Sequence, residues 1–269
     1  MPLARIRHGK PHTLGREVSL IAIRIVFWRR LRTELALAGL SLAVLLGAWG
    51  TGVTLRPAAG PVPAAPIYRV ETAHRAVALA INVVWGTQYV PGIVRALIRS
   101  HATATFFLGG AWAAAHPGLV RQLVQAGMEV GNHGYAHRHQ STLSFDANVD
   151  EILRATRAIE LAGGVRPTLF APPYGEYNRT VEAAAAALHM PLIMWTVDTI
   201  DWRPDATPAV VSRRVLAGVH PGAIILMHPT DRTLEALPGL LAALRAMGYQ
   251  IVTVSQLLSW GRPAGESSR

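Results

Sequence analysis

The chain has 269 residues, 51% hydrophobic and 16% charged, with no cysteine. Such a length allows one sizeable core with appendages, and the missing thiols exclude disulfides, thiolate metal sites and a cysteine nucleophile. A net charge of +10 would suit a nucleic-acid binder, but residues 1–33 alone carry +7 of it, eight Arg or Lys against Glu17. A basic tail on a near-neutral body is not a nucleic-acid-binding surface, and no nucleic-acid partner is expected.

After the basic tail (1–34), residues 35–55 run without a charge. As a helix they would extend about 30 Å, close to the hydrocarbon thickness of a bilayer. Arg29, Arg30 and Arg32 stand just before this run and would remain cytoplasmic, leaving the rest of the chain outside. A single-pass membrane anchor is therefore expected at 35–55. The alternative is a signal segment cleaved near Ala64-Ala65, giving a secreted protein. Segment 19–28, interrupted by Arg24, reads as membrane-surface material. Residues 56–67 hold Pro57, Pro61, Pro63 and Pro66 among alanines and read as an extended linker.

A regular alternation follows and defines a domain over 68–260. Short β-rich runs occur at 76–81, 104–108, 129–131, 168–170, 192–197, 223–227 and 250–254. Helical patterns lie between them at 91–99, 113–126, 146–162, 178–189, 207–218 and 234–247. Pro117, Pro208 and Pro238 fall near the expected helix starts, and Gly127 and Gly248 follow helix ends. This alternation predicts a parallel α/β domain, as a barrel or an open doubly wound sheet. Residues 261–269 read as a flexible tail.

Asn82, His133, Ala171, Asp198 and His228 each stand just past an expected strand end. Active sites of parallel α/β barrels gather at that rim. His133 and His137 are four residues apart, so on a helical turn they share one face and suit a zinc ion; alone, the spacing also fits a solvated loop. In the turn 170–175 (Phe-Ala-Pro-Pro-Tyr-Gly), neither proline can donate, so the Tyr174 N–H is the first free backbone donor and suits an oxyanion contact. Asp198 and Asp201 precede Trp202, an indole able to wall a sugar ring. Asp198 is placed to orient His228, which would then serve as a general acid.

Together these residues resemble the polysaccharide deacetylase (NodB-homology) family, carbohydrate esterase family 4, over about residues 75–258. Four of its motifs have counterparts in order. H-x-x-x-H matches His133 and His137, and R-P-P-Y-G matches 172–175. D-x-x-D-W matches 198–202, and leucine-x-His matches Leu226 to His228. The run 82–86 (Asn-Val-Val-Trp-Gly) and 170–178 look closest to the sporulation-associated branch. The resemblance implies a distorted (β/α)7 barrel that removes acetyl groups from N-acetylated cell-wall glycan. It implies a divalent metal, zinc being expected, on His133 and His137, with His228 as acid, Asp198 tuning it, and the Tyr174 N–H at the oxyanion. Asn82, Trp85, Tyr174 and Trp202 are expected to contact substrate.

The chain departs from the family at its first motif. Where active members carry two Asp, it has Asn82-Val-Val-Trp85, so the expected base and the anionic metal ligand are both missing. Ala171 also replaces the Arg that pairs with that base. Two functions follow. One is a metal-dependent N-deacetylase whose base is supplied by Glu176, Asp201 or a metal-bound hydroxide. The other is a glycan-binding or scaffold protein that keeps the groove without turnover.

Overall fold

A computed structural model describes residues 65–266. The basic tail, the apolar segment 35–55, the surface segment 19–28 and most of the linker 56–67 lie outside the described residues. Among the described residues, no helix is long and apolar enough to cross a membrane.

The body is organised by strand β2 (Ala76–Val83), whose eight residues are all buried. A strand covered on both faces reads as a continuous apolar run because it has no solvent side. β2 pairs in parallel with β3 (Thr105–Leu108), β6 (Ile224–Met227) and β7 (Gln250–Val252). β7 takes the first half of the edge that β3 takes further on, at 76–78 and 80–83 respectively. From β3 the hydrogen bonding passes to β4 (Glu129–Asn132) and, by single bridges, to Phe170 and then Leu192. It returns from β5 (Val197–Asp198) through β6 to β2. All seven expected strand segments take part in this parallel path, but 168–170 shrinks to a bridge at Phe170 and 192–197 is broken into bridges and the two-residue β5, which makes the barrel irregular.

Helices wrap the sheet: α1 (Val90–Arg99), α2 (Gly110–Ala115), α3 (Pro117–Gln125), α4 (Phe145–Gly163), α5 (Arg179–Ala187), α6 (Pro208–Gly218), α7 (Asp231–Ala246) and α8 (Val254–Ser259). Their ends follow local chemistry. Ser144, Asn178, Thr207, Thr230 and Thr253 each accept a backbone N–H of the first turn they cap. Gly164 closes α4 in the left-handed conformation, φ 73°.

Three expectations need correction. The single helix read over 113–126 is two, because Pro117 restricts His116 and starts α3 afresh. Pro238 lies inside α7, whose start is set by the Thr230 cap rather than by the proline. Arg262–Ala264 is not a flexible tail. It forms β8, antiparallel to β1 (Arg69–Glu71), a ribbon whose two halves lie too far apart in sequence for local patterning to reveal.

Packing close to the site leaves little room. A Cβ added at Gly131, one residue before the end of β4, would lie 2.4 Å from the Phe107 ring. Gly131→Ala should therefore lower the unfolding free energy by about 1–3 kcal/mol. Gly118, with nothing within 4 Å, is the control, and urea titration of both variants measures the difference.

Candidate functional site

β4 delivers the histidine loop. The ladder continues one residue beyond the strand, with the His133 N–H donating to Leu108 O at 2.9 Å. Asn132, fully buried, donates through Nδ2 to Ile152 O and Thr156 Oγ1 in α4 and accepts the Gly134 N–H. Glu151, on the buried face of α4, accepts the Tyr135 and Ala136 N–H groups at 3.0 and 2.9 Å. Two side chains thus satisfy a loop that has no ladder of its own. Asn132 is marked in the sequence by its place at a strand end before His133, whereas Glu151 is not. The available signal was an acid on the apolar face that also carries Asn148, Ile152 and Ala155.

His133 is 1% exposed, and its Nδ1 lies 2.7 Å from Ala171 O. A carbonyl only accepts, so Nδ1 carries the proton and Nε2 keeps its lone pair. Burial, reinforced by His137, pushes its pKa down to about 3. The pKa of His137 is likewise lowered, by burial and then by His228 and His139. Both rings are therefore neutral at neutral pH, with centroids 5.1 Å apart. The neighbouring His139 is not simply solvated: it stacks on Tyr174 at 4.1 Å and meets the Glu176 carboxylate at 3.1 Å.

The 170–175 turn sets Tyr174 at φ 59°, with its ring 54% exposed. Gly175 is required there, at φ 67°, because a Cβ would come within 2.5 Å of the Trp195 ring. Trp195 was missed in the sequence, since it lies in an apolar strand run with no motif around it.

The acid behind His228 is Asp201, not Asp198. Asp201 is fully buried; Oδ1 lies 2.8 Å from His228 Nδ1, and Oδ2 accepts the His228 backbone N–H at 2.6 Å and the Thr233 hydroxyl. The carboxylate fixes the proton on Nδ1 and leaves Nε2 available. Asp198 instead turns its Oδ1 to the Ile200 N–H at 2.8 Å, stabilising a loop in which Ile200 has φ 52°. That reversal carries the chain so that the second aspartate, not the first, lies under His228.

These elements enclose a cavity of about 320 Å³. Asn82, Trp85, His133, His137, Tyr174, Asp198, Trp202 and His228 all line it, joined by Trp195 and Leu226. All eight site residues expected from the sequence therefore meet at one place. A larger surface groove, about 490 Å³, lies by Tyr135, Arg154 and Leu161, but it has no histidine or carboxylate. Of the substitute bases, Glu176 is bound by His139 and Ser141, Asp201 is occupied by His228, and neither lines the cavity.

The polar set fits a divalent metal incompletely. Two neutral imidazoles face the cavity, but no group of three His, Cys, Asp or Glu among the described residues is arranged to hold a metal. Asn82 is 5% exposed, and its Oδ1 is buried without a hydrogen-bond partner. It supplies at most an uncharged amide oxygen where an anionic ligand would be needed. The set offers two of the three protein ligands usual in a catalytic zinc centre, with the Asn82 amide oxygen beside them in the cavity.

A parallel α/β barrel with a histidine pair, a Pro-Pro-Tyr-Gly turn and an Asp-backed histidine at its rim defines a carbohydrate-deacetylase type of protein. The polysaccharide deacetylase model matches residues 69–193. The chain is 40% identical to YlxY of Bacillus subtilis over 193 residues, 72% of this chain and 60% of that protein. It is 34% identical to the peptidoglycan-N-acetylglucosamine deacetylase PgdA of Listeria monocytogenes, over 75% of this chain and 42% of that one. The chain thus spans 60% and 42% of these two relatives' lengths. A crystal structure of a CE4-family pseudoenzyme from Bacillus anthracis superposes with TM-score 0.71 at 42% identity, covering 73% of this chain and 69% of that one. The chain belongs to the polysaccharide deacetylase family.

Two measurements follow from the geometry. Unfolded imidazole titrates near 6.5 and folded His133 near 3, so in acid the unfolded chain takes the proton first. The stability linked to His133 is complete above pH 6.5 and drains as pH falls towards 3. Denaturant midpoints in chelating buffer should drop across that window, with a shallower slope in His133→Gln; equal slopes would contradict this. Asp201→Ala orphans three donors and should cost about 3 kcal/mol or more. Asp198→Ala, losing one exposed-side hydrogen bond, should cost about 1 kcal/mol.

Proposed function

We propose that this protein is a deacetylase-type cell-wall glycan binder whose hydrolytic step is disabled at the first motif. The observation that carries this reading is Asn82: a buried amide with an unpartnered oxygen stands where the reaction needs a carboxylate. An amide neither accepts a proton at neutral pH nor supplies negative charge to a metal. The groove around it is otherwise suited to sugar, since the partly exposed Trp85, Tyr174 and Trp202 line the cavity. Relatives named as peptidoglycan deacetylases support cell-wall glycan as the ligand class. The likeness to a CE4-family pseudoenzyme supports loss of turnover.

The charge pattern of 29–55 supports a single-pass anchor with the domain outside the cell, where that glycan lies. Cleavage near Ala64 would secrete the same domain. Likeness to the sporulation-associated branch supports a wall remodelled during sporulation as the setting.

A second reading, a slow metal-dependent N-deacetylase, is favoured by one observation. His228 is held by Asp201 with Nε2 free, an arrangement suited to a general acid. In that reading His133 and His137 hold a divalent metal, zinc by preference for imidazole, and Tyr174 with Asn82 positions the acetyl group.

The two separate cleanly in the full-length protein. Binding of N-acetylglucosamine oligomers or peptidoglycan without acetate release supports the binder. Stoichiometric zinc lost in His133→Ala, with acetate release lost in His228→Ala, supports the enzyme instead. Asn82→Asp should raise zinc affinity, measured by competition with a chromogenic chelator. A variant of the Bacillus anthracis pseudoenzyme with restored activity makes acetate release by Asn82→Asp worth measuring alongside. No glycan binding and no acetate would sink both readings.

A further inference from the structure

The cavity has a charge imbalance that neither reading uses. Its lining includes one carboxylate, Asp198, and no lysine or arginine. The cations near that loop are bound to backbone oxygens. Arg214 Nε donates to the Asp198 backbone oxygen at 2.6 Å, and Arg232 donates to the backbone oxygens of Ala206, Asp201 and Pro204. Neither guanidinium lines the cavity. Asp198 spends Oδ1 on the Ile200 amide, which leaves Oδ2 for a ligand.

Aromatic side chains share the cavity with this carboxylate. Trp85, Tyr174 and Trp202 are 43%, 54% and 53% exposed, and Trp85 lies parallel to the His228 ring, 6.0 Å away with 8° between planes. Partly exposed indoles beside a carboxylate suit organic cations, as in aromatic cages, while Tyr174 has one ring face covered by His139. The orphaned Asn82 Oδ1 adds a buried acceptor that lacks a donor.

We propose that this cavity selects a glycan residue with a free, protonated amino group, a glucosamine, over its N-acetylated form. The inference rests on the glycan-binding reading and adds to it the chemical state of the sugar. A primary ammonium brings one positive charge and three N–H donors. Asp198 Oδ2 takes the charge, a small turn of the Asn82 amide gives a second acceptor, and the indole faces hold the ring. An acetamido group brings a single N–H and no charge. Its carbonyl oxygen would find the Tyr174 N–H as a donor, but it brings no charge to offset that of Asp198. The ligand is thus the product of a glycan N-deacetylation, so an active deacetylase must act on the wall before this protein binds.

Calorimetric titration of the full-length protein with a glucosamine tetramer and an N-acetylglucosamine tetramer, in low salt and chelator, tests this. The glucosamine tetramer should bind about tenfold more tightly or better, a difference of about 1.4 kcal/mol. Asp198→Asn keeps the Oδ1 acceptor for Ile200 while removing the charge, and should bring the ratio to within about threefold. Trp85→Ala should weaken glucosamine binding several-fold with the circular dichroism spectrum intact. Equal or tighter binding of the N-acetylated tetramer, or a ratio unchanged in Asp198→Asn, overturns the inference and leaves the glycan-binding reading standing. Binding of neither tetramer overturns both.

Discussion

Everything in the domain hangs from β2, which pairs with three strands and buries all eight of its residues. A strand so enclosed commits its C-terminal end to the interior as firmly as its middle. Asn82, paired across from Phe107, cannot retreat to solvent. Its chemistry is therefore forced upon the cavity, and a change of one atom there, from carboxylate oxygen to amide nitrogen, alters the whole site's charge. The surrounding machinery is built independently of that position. Asn132 ties the end of β4 to α4, Glu151 holds the histidine loop from α4, and Asp201 holds His228 from below, so the site keeps its shape without its acid.

The neutrality of this end of β2 is coherent with its neighbourhood. A guanidinium at position 171 would be buried beside His133, whose Nδ1 donates to the carbonyl of that residue. Without a carboxylate at 82 it would have no partner, at a cost of several kcal/mol. Ala171, 3% exposed, removes that cost, and the two substitutions make sense only together. What remains is an apolar, acceptor-bearing pocket with a single anion on its rim.

Most of the barrel was legible in the sequence because its strands are continuous apolar runs separated by capped helices, and each pattern is local. Strand-end polar residues were legible for the same reason: a polar residue that terminates a buried run has nowhere to point but the rim. What escaped was non-local. The β1–β8 ribbon joins residues 69–71 to 262–264, and no periodicity announces such a partner. The choice between Asp198 and Asp201 turned on one residue, Ile200, taking a positive φ; a β-branched side chain gives no warning of that conformation. Glu151 escaped because an acid in a helix is normally read as solvated, whereas here it caps a loop from inside.

The ribbon has a mechanical meaning as well. Chain enters the barrel through β1 and leaves it through β8, and these strands are laced antiparallel, with Arg262 paired to Glu71 across them. Tension on this end of the domain is met by the Ile67–Ile193 bridge and by this lacing, which hands part of the load to residues 262–264. The clasp lies before β2 begins, so a pull is shared at the seam before it reaches the strand that carries Asn82. Strain applied at the ends of the domain is thus taken up at this seam, away from the cavity.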